Sequence, residues 1–69
     1  MQELKIIGRN IVRLRKQRRL TQEDLCGVAD MDRSYLSEIE NGHKNFSIST
    51  LFKLSKALDA SFNDILDTR

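Results

Sequence analysis

Sixty-nine residues with a single cysteine, a single histidine and no proline make one small domain, residues 1–69, unable to form an intrachain disulfide and short of the roughly four donors a zinc site needs. The formal charge of +2 balances +6 over residues 1–19 against −4 over residues 20–69, so a basic end, densest in the run "RLRKQRR" (13–19), joins an acidic remainder. No charged-then-apolar leader opens the chain and no apolar run nears the ~18 residues of a membrane span, which predicts a cytoplasmic protein with no membrane partner.

A basic end suits a polyanionic partner. The same cations also suit the negative pole at the C-terminal end of their own helix. A domain this short buries only about 60% of its unfolded surface, and with metal and disulfide set aside, dimerisation is the remaining supplement. Cys26 reads as a small buried residue in a reducing compartment, with a reactive thiol as the alternative. His43 reads as exposed.

In chain order, Leu4, Ile7, Ile11 and Leu14 recur on one face and predict an amphipathic helix from about Glu3 to Arg18. Thr21 is the N-cap of a second helix, Gln22 to Ala29, with Asp24 closing a short capping box and Leu25, Val28 and Ala29 turned inward. Asp32 caps a third, residues 33–40, and Gly42 stops it. On that third helix only Leu36 and Ile39 form an apolar face. Arg33, Ser34, Ser37 and Glu38 cover the opposite side and Tyr35 lies at the boundary. An ordinary solvated face more often carries paired Lys and Glu, so the short polar side chains suggest a surface that is read by something else.

Ser47 then caps a fourth helix, Ile48 to about Leu58, whose face of Ile48, Leu51, Phe52, Leu54, Ser55 and Leu58 is wider than a surface helix needs. Ser61 caps a fifth, Phe62 to Leu66. The expected fold is all-α, five helices with short connections. No strand-like alternation persists, and there are no repeats or linkers.

The eight-residue second helix, three-residue turn and short third helix have the spacing of a helix-turn-helix, here about residues 21–42, in which the third helix can enter a DNA major groove. Cys26 is small where the two helices cross, and Val28, Leu36 and Ile39 wedge them at their angle. Gln22 opens the second helix, where its amide and free backbone N–H groups can hold a phosphate. Arg33 can fork onto guanine or fall back on a phosphate. Ser34 and Ser37 can reach base edges or phosphates. Tyr35 offers a ring to a thymine methyl and a hydroxyl to a phosphate, or packs at the boundary. Glu38 can accept from cytosine N4 or serve only to discriminate.

The stretch "LTQEDLCGVADMDRSYLSEIENG" resembles the phage-repressor/Cro-like, or XRE-like, helix-turn-helix family. The resemblance rests on the T-Q-E-x-L opening, the Y-L-S-x-I-E-x-G close and the flanking helices, and it extends over nearly the whole chain. Within that family "DRSYLSEIENGHKNFSISTL" looks most like the controller proteins of restriction–modification systems, through its D-R-[ST]-Y-[IL]-S segment. The resemblance implies a lambda-repressor-like fold and a homodimeric, sequence-specific transcriptional regulator of a pseudo-palindromic operator, with no catalytic residue and no cofactor. RNA polymerase becomes a partner if the regulation is activating. It implies backbone contacts from Lys44 and Asn45, with Thr21 and Gln22 among the DNA-binding residues, and an ion pair between Arg15 and Glu40, which removes Arg15 from the DNA contacts. Two positions depart from the family: Asp30 stands where glycine is usual in the turn, and Cys26 where alanine is frequent.

For the dimer, the surplus apolar surface of the fourth and fifth helices points first to Ile65 and Leu66, then to Phe52 and Phe62; the alternative is that Phe62 and Ile65 complete the monomer core, to which Phe62 is equally suited. The rival readings are another stand-alone phage- or plasmid-type repressor, and a protein-interaction module with secondary DNA contact. An enzyme is the weakest reading, since His43 has no evident nucleophile or carboxylate partner.

Overall fold

Local side-chain chemistry sets where the helices begin. The computed structural model describes residues 2–69 and forms α1 (Gln2–Gln17), α2 (Gln22–Ala29), α3 (Arg33–Glu40), α4 (Ile48–Leu58) and α5 (Phe62–Leu66), with no strand among the described residues. Thr21, Asp32, Ser47 and Ser61 each sit in extended backbone, and each side chain accepts from the N–H three residues on. Each bond satisfies an N–H that the first turn leaves without a helical partner. At Thr21 and Ser61 the bond is reciprocated, by Asp24 and Asp64, as complete capping boxes. Bonds from Thr21, backbone first and then hydroxyl, hold the Asp24 carboxyl below its ordinary pKa.

Three of the helix stops use non-glycine residues in the left-handed region: Arg19 (φ 58°), Asp30 (φ 54°) and Asp59 (φ 49°). Only α3 ends with a glycine there, Gly42 at φ 75°. The stops share one bonding pattern. Leu20 N–H donates to the Arg15 carbonyl, Met31 to Cys26, His43 to Glu38 and Ala60 to Ser55, the six-to-one closure of a Schellman turn. The aspartate at position 30 therefore occupies the left-handed conformation that glycine takes more easily.

The core gathers Ile11, Leu14, Leu25, Cys26, Leu36, Ile39, Leu51, Leu54, Leu58 and Ile65. Full burial of each large aliphatic side chain contributes about 1.5–3 kcal/mol before the entropy of ordering it. Helix α1 packs on α3 and α5, α2 on α3 and α4, and α4 on α5. Gly8 allows the first of these contacts. A Cβ there would meet the Glu40 carbonyl oxygen and lie 2.6 Å from that of Ile39, so no larger residue lets α1 approach the end of α3. Gly27 has the opposite character: a Cβ would meet nothing within 4 Å, and glycine only weakens α2, by about 1 kcal/mol relative to alanine. Asn10 ties α1 to the far end of the chain, donating to the Ile65 and Asp67 carbonyls at 3.0 and 2.7 Å. No helix among the described residues is long and apolar enough to cross a membrane.

Two sequence expectations fail here. Val28 is 66% exposed and wedges nothing; the buried face of α2 is Leu25, Cys26 and Ala29. At about 100° per residue, Cys26 and Ala29 fall to one side of Leu25 and Val28 to the other, and the packing of α3 and α4 selects the first side. Ile65 is fully buried within one chain and belongs to the core rather than to a dimer seam. Burial raises the Cys26 thiol pKa, helped by the nearby charges of Asp32 and Glu40. A raised pKa keeps the thiol protonated and unreactive.

Candidate nucleic-acid interface

The α2–turn–α3 unit is held by a polar network beneath its surface. Glu40, the last residue of α3, is buried, and its carboxylate accepts from Arg15 of α1 through Nε at 2.8 Å and Nη2 at 3.2 Å. Gln22, the first residue of α2, adds a third bond, Nε2 to Glu40 Oε1 at 2.8 Å. Arg15 also donates through Nη1 to the Leu20 carbonyl at 2.9 Å, which braces the turn leading into α2. The charged side chains are 11% and 5% exposed, and no buried side-chain nitrogen or oxygen among the described residues lacks a partner. A satisfied network of this kind fixes the relative placement of three helices.

Above it lies the polar face. Leu36 and Ile39 anchor α3 in the core, while Arg33, Ser34 and Glu38 are exposed and Ser37 is half-buried. Gln22, Arg33, Ser34, Ser37 and Glu38 together line one shallow concavity between the start of α2 and α3. Arg33 has no ion-pair partner among the described residues, so its five donors are available to an anion or a base edge. Tyr35 does not line the concavity. It is half-buried against the core, the boundary position, with part of its surface open.

The flanks differ in how far they are committed. Thr21 is exposed but its hydroxyl oxygen already caps α2. Gln22 has spent one amide proton on Glu40, which holds its side chain in place and leaves one amide proton free. Lys44 and Asn45 are exposed in the segment between α3 and α4, where Asn45 Oδ1 accepts from the Phe46 N–H at 2.9 Å. The Gln22–Glu40 bond, across 18 residues of sequence, carries no local signal and was not foreseeable. Gly8 and Asn10 were likewise missed, because only the packed structure shows what they approach.

The model of the helix-turn-helix family matches residues 11–65. This chain belongs to the helix-turn-helix family. Its likeness to individual members is close in both sequence and fold. The control protein C.MunI of Mycoplasma sp is 37% identical over 67 residues, covering 94% of this chain and 90% of that protein. The restriction–modification controller protein C.AhdI of Aeromonas hydrophila superposes with a TM-score of 0.91 at 32% identity, covering 94% and 98% of the two chains. The immunity repressor protein of Bacillus phage phi105 is 40% identical over 60 residues, which span 87% of this chain but 42% of that protein. The chain is a helix-turn-helix transcriptional regulator of the DNA-binding kind, in a family that is not enzymatic.

Within this helix-turn-helix regulator, apolar surface remains on the side built from α4 and α5. Ile48 is 69%, Phe52 54% and Leu66 40% exposed. Ile48 and Phe52 are four residues apart on one helix face, and Ile48 and Leu66 border the same depression as Leu4 and Phe46. Phe62 is half-buried and meets Phe52 edge-on, with ring centroids 5.0 Å apart.

Proposed function

We propose that the protein is a homodimeric controller of the restriction–modification type, acting in the cytoplasm on a pseudo-palindromic operator. One observation carries the reading of the site: the polar face of α3 is rigidly anchored yet unpaired, and it converges with Gln22 on one concavity. In this reading Arg33 forks onto guanine, Ser34, Ser37 and Glu38 meet neighbouring base edges, and Tyr35 offers its open edge to a thymine methyl. Thr21, Lys44 and Asn45 grip phosphates and set the register. The dimer is supported by the exposed Ile48, Phe52 and Leu66 on the α4–α5 side, apolar surface of the kind that marks protein contact, with Phe62 packed behind Phe52. Two copies related by a twofold axis would place their α3 helices in successive major grooves. The likeness to C.MunI and C.AhdI favours a controller; the likeness to the phage repressor favours the second reading, a stand-alone repressor of the same dimeric design.

Sites selected from a random duplex library by the wild-type protein provide the DNA for testing. Arg33→Ala is expected to lose about 1–3 kcal/mol on the selected site and much less on a scrambled duplex, both titrated at the same salt. Equal losses on the two DNAs would reduce Arg33 to a phosphate contact, and no loss on either would remove Arg33 from the interface.

A further inference from the structure

We propose that Gln22 is a base-reading acceptor locked by Glu40, presenting its side-chain carbonyl oxygen to the exocyclic amino group of an adenine or cytosine. This deepens the reading of the α3 face as a DNA interface and rests on it. A carboxylate bonded to a guanidinium accepts hydrogen bonds and does not donate them. Only the NH₂ side of the Gln22 amide can therefore meet Glu40, and the 2.8 Å bond fixes which way the amide is turned. Glu40 cannot move to release it, because Arg15 holds the same carboxylate through two nitrogens.

The consequence lies at the other end of the amide. Gln22 Oε1 has no partner within the described chain, and every buried side-chain oxygen there has one, so this oxygen reaches solvent. Gln22 also borders the concavity that holds Arg33 and Glu38. An outward carbonyl repels a phosphate oxygen and matches an amino group. In the major groove adenine N6 and cytosine N4 supply that donor, whereas guanine O6 and thymine O4 present acceptors in its place. An unrestrained glutamine could turn its amide to suit either. The lock removes that freedom and converts a permissive residue into a discriminating one.

The test uses the full chain and a site selected from random duplexes. Adenines of one half-site are replaced singly by purine, which lacks the N6 amino group, and cytosines by 2-pyrimidinone, which lacks that on C4. One replacement is expected to weaken wild-type binding by about tenfold, the scale of a base contact, and to have no further effect on Gln22→Ala. Glu40→Gln supplies an amide that can donate as well as accept, so Gln22 can turn over; the same replacement should then cost several-fold less while the salt dependence of binding stays unchanged. A penalty that persists in full in Gln22→Ala overturns the inference. So does uniform weakening of Gln22→Ala on all sequences, which would mark a phosphate contact through the second amide proton. Arg33→Ala separates the two levels: if it loses specificity while Gln22→Ala does not, only this inference fails, and if neither variant changes binding the α3 interface fails with it.

Discussion

Ile65→Asp is expected to unfold the protein rather than yield a folded monomer. Ile65 is fully enclosed by its own chain, so the substitution removes a buried aliphatic group, worth about 2–5 kcal/mol with its cavity, and adds a carboxylate with no partner. A core in a domain below about 70–80 residues rarely supplies more than about 3–5 kcal/mol, and the loss exceeds that reserve. Helical circular dichroism should collapse at any accessible concentration. Leu66→Asp is its counterpart: at the neighbouring exposed position the charge meets water in the monomer, so the helices should persist while sedimentation across micromolar concentrations shows the dimer dissociating. A folded, monomeric Ile65→Asp protein would place that residue in the seam after all.

Breaking the buried network is expected to be nearly as costly. Glu40→Ala strands the Arg15 guanidinium and the Gln22 amide together, and should lower stability by about 3–5 kcal/mol in urea titrations. Arg15→Ala should cost less, because Gln22 still donates to the carboxylate it leaves behind. Replacing both, Arg15→Met with Glu40→Leu, should recover much of the loss, since apolar side chains of similar size remove the desolvated charges as well as their attraction. In the matched cycle of Arg15→Ala, Glu40→Ala and the two combined, simple additivity of the single losses would mean that the two charges do not interact.

The contrast between these two regions shows what the sequence could convey. Helix starts were legible because Thr21, Asp32, Ser47 and Ser61 state them in local chemistry, and all five helices follow closely from caps and periodicity. The stops were less so. Arg19 and Asp59 occupy a backbone region that side chains seldom adopt, and nothing in their identity announces it. Short elements misled for a different reason: α2 has eight residues and α5 five, too few turns for periodicity to fix which side faces the core. Val28 therefore turns outward where the pattern puts it inward, Ile65 goes to the core rather than to the seam, and Ile48 is surface only by the packing of α4. On α3 the outward set of Arg33, Ser34, Ser37 and Glu38 could be read, because two anchors, Leu36 and Ile39, leave little choice of face. The orientation of Gln22 could not, since it depends on a carboxylate that arrives from the far end of α3.

Hydroxyl-radical footprinting of the wild-type protein on its selected duplex tests the central claim most directly, because it reports sequence preference, groove and symmetry together. Two protected windows are expected, related by a twofold axis and centred about one helical turn, ~34 Å, apart, both vanishing on a scrambled duplex at the same salt. A single window, or protection that is indifferent to sequence, would contradict a dimeric regulator reading DNA through α3.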